Sequence, residues 1–157
     1  MRKVIVNTTP LIALADIGQL DLLHQLYGKI LIPDAVMNEI ESEPAKTLVT
    51  NAQWIGKKSI SYPDRKSLFK ARLHSGEVEV IILAEEEEAD LIIMDDNTAK
   101  KTAKYLGYKV TGTLGILLKA KQEKKIEAEK PFLESLTDNG FYVDEAIKKT
   151  ILKIAGE

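Results

Sequence analysis

The chain has 157 residues, 45% hydrophobic and 29% charged, with a formal net charge of −2, which suits one domain with a sizeable core and excludes an overall basic field that grips nucleic acid. The absence of cysteine excludes disulfides, thiolate metal sites and a cysteine nucleophile, and it fits a reducing, cytoplasmic setting. No apolar run reaches membrane-spanning length, and the Met1-Arg2-Lys3 start leads into a short stretch broken by Asn7 and Pro10 rather than a signal-peptide core, so no membrane association is expected.

Residues 3–6 are apolar and β-branched, a strand that Asn7-Thr8-Thr9-Pro10 ends. Thr9 is the expected helix cap, with Pro10 in the first turn, where a missing N–H costs nothing. Leu11, Ile12, Leu14 and Ala15 make an apolar stripe, Gly18 interrupts it, and Leu20, Leu22, Leu23 and Leu26 resume helical spacing up to Gly28. Ile30-Leu31-Ile32 reads as the second strand. Pro33-Asp34 then opens a helix with Ala35, Val36 and Ile40 on one side and Glu39 in its second turn, near the helix start. Residues 45–52 look helical, and 54–60 form a weaker strand at a sheet edge, given Lys57 and Lys58. Residues 61–75 read as a short helix from Asp64. A strong helix follows from Gly76 through Val78, Val80, Ile81, Ile82 and Ala84 to Glu88, with Glu77 in the first turn, where the helix dipole favours an anion. The acids at 85–88 read as a solvated helix end.

Leu91-Ile92-Ile93-Met94 is too short for a helix and continuously apolar, the pattern of a strand buried on both faces in a parallel sheet. It ends directly on Asp95 and Asp96. A helix over 98–106 follows, bearing Lys100, Lys101 and Lys104, and Gly107 closes it. Residues 108–110 make a last short strand, and Thr111-Gly112-Thr113 introduces a helix through Leu114, Ile116, Leu117 and Leu118. A charged hinge is expected from Gln122 to Lys130, then helices near 131–137 and 143–154. The expected organisation is one domain over 1–157, with a core over 1–120 and a helical C-terminal extension over 121–157.

Alternating strands and helices imply an α/β fold with right-handed crossovers: a parallel sheet of four or five strands between two helical layers. Helices that follow strands start at the carboxyl edge of the sheet, so Asn7, Glu39, Glu77, Asp95 and Asp96 can share one rim, where open sheets bind ligands. Carboxylates crowd together stably only around a cation, and an all-oxygen donor set selects a hard ion, Mg²⁺ or Mn²⁺. Such an ion activates water and clamps a phosphodiester, which is nuclease chemistry.

Each residue also has a plainer reading. Asp95-Asp96 suits a strand-end turn with a capping aspartate, Glu77 a first-turn dipole acid, Glu39 a surface helix residue and Asn7 a turn former. His24 and His74 lack the partners of a triad or zinc site. Lys100, Lys101 and Lys104, and likewise Arg65, Lys66, Lys70 and Arg72, suit either RNA phosphates or solubility. Tyr105, Tyr108 and the Leu114 stripe suit core or dimer surface.

Four stretches carry a resemblance: Val4-Ile5-Val6-Asn7-Thr8-Thr9-Pro10-Leu11-Ile12, Pro33-Asp34-Ala35-Val36-Met37-Asn38-Glu39-Ile40, Gly76-Glu77-Val78-Glu79-Val80-Ile81 and Ile92-Ile93-Met94-Asp95-Asp96. With the stretch from Gly107 to Leu118, the chain resembles the PIN domain family over about residues 3–120, and within it the single-domain proteins similar to VapC toxins. The resemblance implies a metal-dependent ribonuclease fold with strand order 3-2-1-4-5 and a Mg²⁺ or Mn²⁺ cofactor. Its expected partners are an RNA substrate and an antitoxin protein, with assembly as a homodimer or higher homo-oligomer. Residue by residue, the family's first strand-end Asp falls on Asn7, its helical Glu on Glu39, its third acid on Glu77 and its last on Asp96 or Asp95. Thr9 falls where the family has a hydroxyl near the metal. Asn7 is a departure, since an amide oxygen ligates a cation without adding charge. The competing expectation is therefore an inactive PIN-like binding or oligomerisation module. A receiver-like domain would instead carry its acid pair after the first strand.

Overall fold

The middle of the molecule is β1 (Val4–Val6), buried along its whole length. It is flanked by β2 (Ile30–Ile32) and β4 (Leu91–Ile93), with β3 (Ile55–Lys57) and β5 (Val110–Thr111) at the edges. The structure, a computed structural model, describes residues 2–69 and 73–157. Every pairing in the sheet is parallel, and Ile5 lies level with Leu31 on one side and Ile92 on the other. The order β3-β2-β1-β4-β5 agrees with that implied by the resemblance. It sets the switch point between β1 and β4, beyond whose carboxyl ends a crevice opens.

The helices are α1 (Thr8–Asp16), α2 (Asp21–Tyr27), α3 (Asp34–Glu39), α4 (Ala45–Asn51), α5 (Ser75–Glu87), α6 (Asn97–Tyr105), α7 (Thr113–Gln122), α8 (Lys130–Asp138) and α9 (Glu145–Ile154). They flank the sheet to give the three-layer α/β/α architecture that the sequence predicts. α5 is buried continuously from Gly76 to Ala84. A helix apolar all round must be covered all round; here β1 lies on one side, with α3 and the turn over Pro63–Leu68 on others. Leu133 and Leu136 of α8 enter the same buried cluster as the sheet and α5. Among the described residues no helix is long and apolar enough to cross a membrane.

The elements differ from expectation in five places. α1 begins at Thr8 rather than after a Thr9 cap, because the chain already turns at Asn7 and buries Thr8. α3 is only six residues long, so Glu39 closes it instead of lying near its start; Ile40 leaves the helix with φ −84° and ψ 96° and buries its side chain. Of the helix expected over 61–75, the described part is a 3₁₀ turn over Pro63–Leu68 with no buried residue in it, and positions 70–72 lie outside the described residues. The acids at 85–88 are not merely solvated: Glu85 pairs with Arg65, Glu86 accepts the Ser61 and Tyr62 N–H groups, and Glu87 pairs with Lys58. Together they fasten that turn to α5. The segment expected as a hinge contains Glu129, which is completely buried.

Candidate functional site

The site begins where β1 stops. Asn7 has an extended backbone (φ −83°, ψ 173°), and its N–H donates to the Ile93 carbonyl at 2.8 Å, which holds the end of β1 against the end of β4. The Asn7 residue is 5% exposed, and its Oδ1 finds no hydrogen-bond partner among the described residues. A buried acceptor left without a donor costs free energy, so this atom calls for a partner such as a cation or water.

Thr8, the next residue, donates its hydroxyl to Glu39 Oε2 at 2.7 Å. The other oxygen of Glu39 accepts the Gly76 N–H at 2.7 Å, so its carboxylate rests on the N-terminus of α5, where helix dipole and orphan donors favour an anion. Gly76 permits this approach. A Cβ there would stand 2.6 Å from Glu39 Oε1.

Glu77 follows at the third position of α5, 5% exposed, its Oε1 accepting the His74 N–H at 2.9 Å. Burial pushes its pKa up, and the negative charges of Asp96 and Glu39 push the same way, while the His74 N–H and imidazole oppose them. Glu77 thus feels the charges of Glu39 and Asp96, which come from two other elements. Two residues on, Glu79 is also buried. It accepts the Ala35 N–H at 3.0 Å and pairs with Lys66 at 2.6 Å, so it ties the start of α3 to α5 and sets the position of Glu39.

The two aspartates separate in role. Asp96 caps α6, its Oδ2 accepting the Ala99 N–H at 2.9 Å. Asp95 accepts the Thr113 N–H at 2.8 Å and the Thr113 hydroxyl at 2.7 Å on its two oxygens. Burial raises the Asp95 pKa against these two bonds and the nearby Lys100 charge. Asp95 therefore clasps α7 to the end of β4, and the plainer reading of a structural strand-end acid describes it well.

The end of β1 thus meets Glu39 through Thr8, Glu39 meets the start of α5 at Gly76, and Asp96 is near enough for its charge to act on Glu77; Asn7 is held against the end of β4, and Asp95 is engaged with Thr113. Thr9 is exposed and faces a shallow cavity shared with Ile12, Leu136 and Phe141, and the hydroxyl that touches Glu39 is Thr8's. Lys100 sits close to Asp95, whereas Lys101 and Lys104 are exposed on α6. Arg65 and Lys66 are committed to Glu85 and Glu79; Lys70 and Arg72 lie outside the described residues. The residues the sequence reading passed over are Thr8, Gly76, Glu79, His74 and Thr113. Glu79 had a visible signal, an acid inside an apolar helical run, whereas the others act through backbone groups or contacts distant in sequence.

The donor set fits a hard divalent ion in kind: three carboxylates, one orphaned amide oxygen and no soft ligand. A cation would satisfy Asn7 Oδ1 and offset the mutual repulsion at Glu77. Among the described residues no three Asp, Glu or His side chains are already drawn together closely enough to grip an ion, so binding would need these carboxylates to draw in.

A parallel sheet of this order with helices on both faces defines a three-layer α/β/α fold with its crevice at the β1–β4 switch point. A family model described as PIN domain matches residues 3–157, so the chain belongs to the PIN domain family. That match runs through α8 and α9, past the stretch of about 3–120 that the motifs covered. Members of the family generally use divalent metals. No curated protein and no solved structure matches the chain.

Proposed function

We propose that this protein is a Mg²⁺- or Mn²⁺-dependent endoribonuclease, with Glu39, Glu77 and Asp96 as the charged groups of the ion site and Asn7 as a neutral fourth donor. The observation that carries this reading is the placing of Glu77 within reach of the charges of Glu39 and Asp96, at the sheet end where the buried Asn7 Oδ1 has no hydrogen-bond partner among the described residues. When bound, the ion would polarise the phosphodiester and lower the pKa of an attacking water. The chain's own residues do the positioning. Thr8 and the Gly76 N–H fix both oxygens of Glu39, the His74 N–H fixes Glu77, and the Ala99 N–H fixes Asp96. Asp95, clasped to Thr113, supports the β4 end rather than ligating, and Lys100 beside it offsets phosphate charge.

A second reading is favoured by Asn7 itself: with an amide at the first strand end, the protein is a PIN-like binding or oligomerisation module with little catalysis. In a toxin–antitoxin setting, an antitoxin segment would occupy the acidic rim and the chain would form a homo-oligomer. The test is Mn²⁺-dependent cleavage of a mixed RNA by the wild type, Asp96→Asn and Asn7→Asp. Asn is as good a helix cap as Asp, so Asp96→Asn retains the start of α6 while losing the charge. Cleavage by the wild type that Asp96→Asn abolishes supports the nuclease. Cleavage only by Asn7→Asp supports the second reading, and cleavage by neither overturns the nuclease proposal.

A further inference from the structure

Beside the rim, a second cavity of about 280 Å³ lies between the β4–α6 junction, the start of α7 and the link from α8 to α9. Asp95 and Asn97, the two chain neighbours of Asp96, line it, so the cavity opens next to the segment that carries one of the rim's acids. We propose that this cavity is a nucleoside subsite for the single-stranded RNA substrate, holding the nucleotide next to the phosphodiester presented to Asp96. This inference rests on the nuclease reading for what the bound nucleotide is there to do.

Four features of the wall point to that ligand. Tyr142 is 82% exposed at the mouth of the cavity, a large flat ring that the core does not use, and Phe141 lies next to it in the wall. Aromatic faces of this kind stack bases with little sequence preference, which suits a single strand whose bases are already splayed. Lys100 is the cation of the cavity, in place to face the nucleotide's phosphate. The cavity also carries two acids: Asp95 is bonded by Thr113 and lies near Lys100, and Asp144 caps α9 by accepting the Ala146 and Ile147 N–H groups on Oδ1, so their negative charge is offset by the lysine and a helix N-terminus and the phosphate is expected on the Lys100 side.

The floor is kept open by Gly112. A Cβ at that position would lie 2.6 Å from Asp95 Oδ1 and 2.8 Å from Lys100 Nζ, so a larger residue would displace the lysine from the pocket. Asn97 contributes an exposed side-chain amide at the edge of the cavity, able to donate and accept at a base edge. The C-terminal helices, which the sequence reading treats as an extension, thereby complete a substrate surface that the sheet and its rim would leave one-sided.

The test uses the full-length wild type with Tyr142→Ala, Tyr142→Phe and Lys100→Ala, and a short fluorescent single-stranded oligoribonucleotide. Anisotropy in EDTA at low salt reads binding without the ion; Mn²⁺-dependent cleavage reads kcat and KM separately. Tyr142 is exposed, so its replacement leaves the core intact. Tyr142→Ala is expected to weaken binding by about ten-fold or more, the size of one lost stacking contact. Tyr142→Phe should restore it, and the same loss should appear in KM with kcat kept. Lys100→Ala should weaken binding and flatten its salt dependence.

Wild-type affinity for Tyr142→Ala, or no saturable binding by the wild type, overturns the proposal. Tyr142-dependent binding without cleavage leaves the subsite standing and removes the nuclease. Cleavage indifferent to Tyr142 does the reverse. A change in oligomeric state on Tyr142→Ala without any change in RNA binding makes the patch a protein interface and also overturns the proposal.

Discussion

Glu129 is fully buried, and neither of its carboxylate oxygens has a hydrogen-bond partner among the described residues. Loss of hydration, reinforced by the negative charge of Glu157 and opposed by Lys121, pushes its pKa from 4.5 up to about 7. The folded protein therefore keeps the Glu129 proton over an interval in which the unfolded chain has released it. Its contribution to stability is fully present below 4.5 and is lost as pH rises toward about 7. Glu157 works in the opposite sense and outside that window. It accepts the Glu129 and Lys130 N–H groups and pairs with Lys121, its pKa is held down at about 2, and its share is lost only as pH falls from 4.5 toward that value. At about 1.4 kcal/mol per pH unit, the Glu129 interval corresponds to roughly 3 kcal/mol at most. Glu129→Gln keeps the shape of the side chain and removes its ionisation. Urea unfolding of both proteins at a series of pH values from about 5 to 8 should show the wild type losing stability relative to the variant as pH rises. Groups that titrate elsewhere act on both proteins alike, so the difference isolates Glu129. Free energies that run parallel over the whole range would refute the argument.

Gly76→Ala should separate stability from function. The added Cβ meets the mobile end of Glu39 rather than backbone, so the carboxylate swings away while the helix keeps or gains up to about 1 kcal/mol. The expected outcome is an unchanged or raised urea midpoint with Mn²⁺-dependent cleavage down about ten-fold or more, as for a displaced ligand, and wild-type cleavage would contradict it. Glu79→Ala leaves the buried Ala35 N–H without its acceptor and should cost about 1–3 kcal/mol in the same urea assay. A wild-type midpoint would show that α3 does not depend on this contact.

The elements that periodicity can report were legible in the sequence. β4 is continuously apolar because both its faces are buried, and α5 is buried from Gly76 to Ala84 with Glu77 and Glu79 as the polar positions in that run; the strand and the helix expected there are both present. What local pattern cannot report is which distant group a polar side chain meets. Thr8 and Thr9 are equivalent as letters, yet one is buried against Glu39, thirty-one positions away, and the other faces solvent. The run of glutamates after Ala84 looks like a solvated helix end because its partners at 58, 61, 62 and 65 belong to another element. The position expected for Glu39 needs correcting. Glu39 sits at the end of α3, not its beginning, and reaches the crevice because six residues of helix span only about 9 Å.

That shortness also explains how the rim stands without an ion. Glu77 is buried whereas Glu39 and Asp96 are exposed, so solvent screens two of the three carboxylates, and backbone dipoles help hold all three: the Gly76, His74 and Ala99 N–H groups donate to Glu39, Glu77 and Asp96 in turn. Asn7 fits the same logic. Its position is the most enclosed of the four beside Glu77, at 5% exposure each, and a carboxylate there would add a fourth charge where solvent screens least. An amide leaves a single unsatisfied oxygen instead, costing about 1–3 kcal/mol, less than an unpaired buried charge. On the proposed nuclease reading the same amide would weaken the pull on a divalent ion, trading affinity for an ion-free fold that holds together. Restoring the charge with Asn7→Asp should accordingly strengthen Mn²⁺ binding and, without the ion, lower the melting temperature; these two opposite signs follow only if Asn7, Glu39, Glu77 and Asp96 form one electrostatic unit.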